Sequence, residues 1–157
     1  MVTWEDLSGT LGDTTFAVHA QIFDPRASAV TITGLATADD LIGSRFNDTM
    51  LGLGGNDTLN GGKGNDLIDG GTGSDRLTGG GGSDVFVFGP SSGRDRITDF
   101  ADGSDRINLT GFGFASFADA GTHFATVTGN LMFSLGGDTL RIDGLTAANL
   151  DASDLIL

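Results

Sequence analysis

The chain contains no cysteine, which excludes disulfide staples, thiolate metal centres and thiol nucleophiles. Basic side chains are scarce: 8 Lys and Arg face 21 Asp and Glu, a formal charge of −13 and a pI near 4.1. Such a surface repels nucleic acid and anionic lipid and attracts cations. Glutamate is nearly missing too. Glu5 is the one example, so the acidity is carried by 20 aspartates. No apolar run approaches the ~20 residues of a membrane span. Residues 1–20 lack the basic region and apolar core of a classical secretion leader. That leaves a cytoplasmic chain, another export signal or a fragment of something longer.

Glycine and aspartate are abundant instead. The 27 glycines stand beside 2 prolines without a G-X-Y period, so a collagen helix is excluded. The 38% hydrophobic content is enough for a core in one compact domain. Aspartate is the short acid, tolerant of tight turns and able to coordinate a hard cation beside its own backbone.

The two residue types share a period of nine. Segments beginning at Gly34, Gly43, Gly52, Gly61, Gly70 and Gly79 read GLATADDLI, GSRFNDTML, GLGGNDTLN, GGKGNDLID, GGTGSDRLT and GGGGSDVFV. Position six is always Asp: Asp39, Asp48, Asp57, Asp66, Asp75 and Asp84. Position eight is always large and apolar: Leu41, Met50, Leu59, Ile68, Leu77 and Phe86. Glycine at positions one, two and four permits positive φ and a tight loop. The next three residues suit a short strand whose middle side chain points inward. One inward residue in nine cannot build a core alone, but stacked copies form a continuous apolar column.

Two loop-and-strand units make a coil of 18 residues. One edge then collects Asp39, Asp57 and Asp75, and the other Asp48, Asp66 and Asp84. Like charges would face each other across roughly 4.8 Å, one strand spacing. A cation between neighbouring loops relieves this. Ca2+ suits the position, because it takes six to eight oxygens at about 2.3–2.6 Å; the smaller Mg2+ holds its waters and fits poorly.

The last three copies match GGxGxDxUx, with U a large apolar residue, and the array resembles the RTX or hemolysin-type calcium-binding repeats of secreted bacterial proteins. The resemblance covers Gly34 to about Asp105. It implies an all-β fold: a right-handed parallel β-roll with strand caps at both ends. It also implies a ligand scheme. Carbonyls at positions two and four join the Asp of one loop, and carbonyls at positions one and three join the Asp one coil later. On this chain the best site is Gly62, Gly64 and Asp66 with Gly79, Gly81 and Asp84. A second is Leu53, Gly55 and Asp57 with Gly70, Thr72 and Asp75. A third is Ser44, Phe46 and Asp48 with Gly61, Lys63 and Asp66, and a fourth is Leu35, Thr37 and Asp39 with Gly52, Gly54 and Asp57. Phe46 and Thr37 depart from the pattern, since neither adopts positive φ readily.

After Val87 the period breaks. The segment FGPSSGRDRITDFADGSDRINL resembles the ends of such arrays in serralysin-type proteases and alginate epimerases. By that likeness Asp95 completes a site with Gly71, Gly73 and Asp75, and Asp99, Asp102 or Asp105 completes one with Gly80, Gly82 and Asp84. The expected total is roughly four to six Ca2+ ions.

Residues 1–33 carry strand-like runs, Phe16 to Phe23 and Ala29 to Thr33, and are expected to form an N-terminal cap that ends a preceding β-rich region. Residues 34–105 form the roll. Residues 106–157 read as antiparallel strands capping its open end. The final Asp154-Leu155-Ile156-Leu157 resembles the terminal signal of serralysin-like type I secretion substrates, so Leu157 is the expected native end.

Catalytic readings are weak by comparison. Gly89-Pro90-Ser91-Ser92-Gly93 spells G-x-S-x-G, but no helix follows to form a nucleophile elbow. No H-E-x-x-H is present. The N-x-S/T sequons at Asn47, Asn56 and Asn108 are coincidental in a bacterial setting, and Trp4 reads as a core residue of the cap.

The expectation is therefore a secreted or cell-surface, non-enzymatic module. It binds calcium, folds with it outside the cell and travels through a type I secretion apparatus. The rival reading is an accessory module for acidic polysaccharide, resting on the sequence cluster Arg94, Arg96 and Arg106, with Lys63, Arg76 and Arg141 in reserve.

Overall fold

The structure is a computed structural model, and it describes residues 19–21 and 28–157, with the side chains of 19–21 excepted. The expected Phe16–Phe23 run and Trp4 lie largely or wholly outside those residues. In chain order the strands are β1 (His19–Gln21), β2 (Thr31–Thr33), β3 (Asp40–Ile42), β4 (Thr49–Leu51), β5 (Gly54–Gly55), β6 (Thr58–Lys63), β7 (Leu67–Asp69) and β8 (Thr72–Gly73). Then come β9 (Arg76–Gly81), β10 (Val85–Val87), β11 (Arg94–Ile97) and β12 (Arg106–Asn108). A 3-10 turn (Thr110–Phe112) and helix α1 (Phe117–Gly121) precede β13 (Phe124–Val127), β14 (Asn130–Leu135), β15 (Asp138–Ile142) and β16 (Leu155–Ile156).

Up to β12 successive strands alternate between two sheets, apart from β5 and β8, which pair with each other. The 8-stranded sheet runs β1-β3-β6-β9-β11-β15-β14-β13, and the 6-stranded sheet runs β16-β12-β10-β7-β4-β2. Pairing along the roll is parallel and in register: Leu41 meets Leu59, Leu59 meets Leu77, Met50 meets Ile68 and Ile68 meets Phe86. Each partner is 18 residues along the chain, so the fold is the expected parallel β-solenoid of about 18 residues per coil.

The short strands follow from the nonapeptide. Their middle residues point inward, and Ile32, Leu41, Met50, Leu59, Ile68, Leu77, Phe86, Ile97 and Ile107 form the buried column between the sheets. Each such side chain contributes about 1.5–3 kcal/mol of transfer free energy when fully buried. The column is one residue wide, so no coil is stable without its neighbours.

Beyond residue 105 the roll continues before it is closed. β12 pairs in parallel with β10, β15 with β11, and β16 with β12. Among the described residues, antiparallel pairing is confined to β13 with β14 and β14 with β15. The region expected to be wholly antiparallel thus also contributes the last parallel strands and a short helix, begun by Ser116, whose Oγ accepts from the Asp119 N–H at 3.2 Å. Phenylalanines seal this end. Phe133 lies at the centre, with ring centroids of Phe88, Phe112 and Phe124 at 5.7, 5.2 and 5.1 Å. These rings replace the single inward residue of the repeat with a broad apolar plug.

Candidate calcium cradles on the two edges

The repeat aspartates line up as the two expected edges. A backbone N–H of each donates to the carboxylate Oδ1 of the Asp one coil later. On one edge Asp39 donates to Asp57 at 2.9 Å, Asp57 to Asp75 at 2.9 Å and Asp75 to Asp95 at 3.0 Å. On the other, Asp48 donates to Asp66 at 2.7 Å, Asp66 to Asp84 at 2.9 Å and Asp84 to Asp105 at 2.9 Å. All eight residues are at most 4% exposed. A buried carboxylate demands partners for both oxygens. At Asp57, Asp66, Asp75 and Asp84 the second oxygen, Oδ2, is buried with no hydrogen-bond partner.

At Asp66 and Asp57 that oxygen shares its space with a backbone carbonyl. A methyl group at Gly61 would lie 2.3 Å from Asp66 Oδ2 and 2.7 Å from the Gly79 carbonyl oxygen one coil on. At Gly52 the corresponding distances are 2.5 Å to Asp57 Oδ2 and 2.4 Å to Gly70 O. Carboxylate and carbonyl oxygens therefore converge on one space with no donor between them, and the donor set is all oxygen, as a hard cation requires. The residues present fit Ca2+ in this respect. Among the described residues no group of three or more His, Cys, Asp or Glu side chains gathers, so the cradles rest on carbonyls plus pairs of aspartates.

The glycines divide their labour differently from the expectation. Position two of the later loops and position four, as at Gly64 and Gly73, have positive φ. Position one does not; its glycine is needed for room beside the carboxylate. Position four lets coils stack closely, since a methyl at Gly73 would sit 1.5 Å from Gly55 O. Thr37 and Phe46 keep negative φ, so the first two loops take another path. There Asp39 and Asp48 are capped locally, their Oδ2 atoms accepting from Leu35 N–H and Ser44 N–H at 2.6 Å each.

Burial without a counter-charge alters the acids. Desolvation, reinforced by neighbouring aspartates and partly offset by the backbone N–H bonds, raises Asp66 and Asp75 to about 6. The same desolvation raises Asp95 to about 8, with Asp75, Asp69 and Asp138 adding to the effect. Asp57, Asp84 and Asp105 are raised as well, again chiefly by burial.

At the far end the structure sorts the candidates. Asp105 joins the ladder, and its Oδ2 accepts from Ala101 N–H at 2.8 Å. Asp99 clamps the loop at Gly79 and Gly80, accepting their N–H groups at 2.9 and 2.8 Å. Asp102 is exposed between them. Two participants were missed. Asp138 accepts from Ser91 and Gly93 N–H at 2.9 Å each, closing the other edge. Asp154 is fully buried and accepts from Asp151 N–H at 2.7 Å, so it serves the last coil. Both stand outside the nine-residue spacing. A further ladder joins position five: Asn47 Oδ1 accepts from Asn65 N–H at 2.7 Å, and Asn56 and Asn65 repeat the contact with Ser74 and Ser83.

The G-x-S-x-G text resolves into a turn leading to β11, a strand, with Ser92 Oγ accepting from Gly89 N–H at 3.0 Å. The basic residues are also redistributed. Arg76, Arg96 and Arg141 stand in register on β9, β11 and β15. Arg106 sits on β12 in the opposite sheet, away from Arg94 and Arg96. Asp143 bonds Arg96 Nε at 2.8 Å and Arg141 Nε at 2.7 Å, and these contacts hold its carboxyl below the usual range.

Fold and edges together define a parallel β-roll with oxygen-lined cradles between stacked loops. The sequence matches the RTX calcium-binding nonapeptide repeat over residues 27–50, 33–68 and 62–90. This stretch is an array of RTX calcium-binding repeats. No curated protein sequence matches the chain. Among solved structures, the AlgE6R2 subunit of the Azotobacter vinelandii mannuronan C5-epimerase is 29% identical, with a TM-score of 0.65 over 85% of this chain and 96% of that one. The AlgE6R3 subunit of the same epimerase is 24% identical, with a TM-score of 0.54 over 98% and 86%. The extracellular lipase LipA of Serratia marcescens is 23% identical, with a TM-score of 0.63 over 81% of this chain; the chain spans only 20% of that enzyme.

Proposed function

We propose that this chain is a calcium-binding module that folds as it takes up several Ca2+ ions, and that it supports secretion and extracellular folding of a larger protein. The observation that carries this is the set of four buried, unpartnered Asp Oδ2 atoms among the described residues, two of which, at Asp57 and Asp66, converge with a backbone carbonyl of the next coil. Calcium, when bound, supplies the positive charge that these oxygens lack. The chain's part is to hold the oxygens in place through the Oδ1 ladder and the glycine turns. Gly62, Gly64, Asp66, Gly79, Gly81 and Asp84 are the leading ligand set, followed by Leu53, Gly55, Asp57, Gly70, Thr72 and Asp75. Without the cation the same carboxylates oppose folding, and binding free energy becomes folding free energy.

Export by a type I apparatus and an extracellular location are supported by the RTX repeats and by likeness to an extracellular lipase. The reading is of a binding module, not a catalyst: the repeat aspartates and asparagines are engaged between stacked loops. Equilibrium dialysis with metal analysis tests it. Asp57→Asn and Asp66→Asn should each lower the calcium content; unchanged content in both would overturn the ligand assignment.

One observation favours a second role. Arg76, Arg96 and Arg141 make a basic ladder on the outer face of one sheet, with Arg94 two residues from Arg96, in a chain of charge −13. This surface suits an acidic polysaccharide. Calcium-loaded protein should lose such binding on Arg76→Ala/Arg96→Ala/Arg141→Ala substitution; no binding by the parent protein would sink the idea.

A further inference from the structure

The four aspartates left with an unpartnered Oδ2 do not fall at random. They are the position-six residues of the loops whose position-two residue has positive φ: Leu53 at 74° with Asp57, Gly62 at 99° with Asp66, Gly71 at 84° with Asp75 and Gly80 at 94° with Asp84. In the two remaining loops, position two is Leu35 or Ser44, neither with positive φ. There the position-two N–H turns inward and donates to the loop's own Asp Oδ2 at 2.6 Å. The sign of one backbone dihedral separates the two groups.

We propose that position two of each loop selects whether the loop's aspartate is held by the chain itself or left for a cation. With negative φ the N–H closes a local ring onto the carboxylate and the loop is complete without metal. With positive φ the N–H is aimed elsewhere, and the oxygen that it abandons stays buried and open. The loops at Asp39 and Asp48 are thus metal-independent closures at one end of the array, and the loops from Asp57 to Asp84 are the metal-demanding part. This rests on the reading that these aspartates bind calcium.

Leu53 sharpens the case. A non-glycine residue at φ 74° is strained, and its side chain is half exposed, so packing does not explain the conformation. Leu53 holds the open state against its own preference. Relief of that strain should tighten calcium binding at this loop by about tenfold.

The test is calcium stoichiometry and affinity by calorimetric titration of the full chain, with Asp66→Asn as reference. Ser44→Gly, which frees position two to turn over, should add a calcium ion. Ser44→Ala keeps the side chain small and φ negative, and should add none. Leu53→Gly should keep the stoichiometry and raise the affinity. If Ser44→Gly adds no ion while Asp66→Asn removes one, the selector is wrong and the ligand reading survives. If Asp66→Asn removes none, the ligand reading itself has failed. Amide exchange at Ser44 supplies a metal-free check: its proton should be protected in chelator in the parent and exposed in Ser44→Gly, and an unprotected parent proton would refute the local cap.

Discussion

Replacing Gly61 by alanine is the sharpest perturbation of a cradle, because the glycine is required there for space and not for a positive φ. The added methyl would stand 2.3 Å from Asp66 Oδ2 and 2.7 Å from Gly79 O, well inside van der Waals contact with both. Overpacking of this kind costs about 1–3 kcal/mol. The methyl also occupies the place where the two oxygens converge, so the site should be lost. A single site at a calcium concentration 100 times its Kd contributes about 2.7 kcal/mol. The sum, about 4–6 kcal/mol, corresponds to a fall in Tm of roughly 8–24 °C for a chain of this size. Gly81→Ala is the matched control. No atom lies within 4 Å of its added methyl, its φ is ordinary, and its carbonyl is retained. Its Tm should move by no more than about 2 °C. Thermal melts by circular dichroism, with saturating calcium and again in chelator, read both effects. In chelator the Gly61 variant should lose only the overpacking part. Equal behaviour of the two alanines, or a Gly61 deficit identical with and without calcium, would refute the cradle.

Further predictions follow from the unpartnered charges. Asp66→Asn removes a buried charge, so in chelator it should stabilise the fold by about 1–3 kcal/mol, while in calcium it should be less stable than the parent; one sign under both conditions, by denaturant titration, would contradict the account. Asp66, Asp75 and Asp95 are raised above the unfolded carboxylate value, so the folded metal-free chain binds protons more tightly than the unfolded one. The stability they permit is fully present below about pH 4 and is lost as pH rises through about 6 to 8. The metal-free Tm should therefore fall across that window, and a Tm rising from pH 4 to 8 would oppose it. Calcium uptake at pH 6 should release protons, seen as a buffer-dependent heat, and the release should vanish near pH 9.

Much of this was legible from residues alone because the repeat is strict. An Asp at position six and an apolar residue two places later fixed both edges and the inward column, and Leu41, Leu59 and Leu77 stack as their spacing required. The legibility ended where the period did. Asp138 and Asp154 reach the roll through the long connections of the last coils, which no nonapeptide register foretells. The parallel pairing of β15 and β16 was hidden for the same reason. Arg106 shows the cost of reading proximity from sequence: in a two-sheet coil, residues ten apart fall on opposite faces of the molecule, whereas Arg76 and Arg96, a full coil apart, are neighbours. The φ of Leu53 could not be read from its side chain, which argues against it.

The central claim is that calcium completes this fold. The most direct test is far-UV circular dichroism of the full chain, titrated with Ca2+ and, separately, with Mg2+. The account predicts a partly folded, less stable chain in chelator, with a cooperative further gain of β signal on adding Ca2+ alone. A chain that is fully folded in chelator and indifferent to Ca2+ would contradict it.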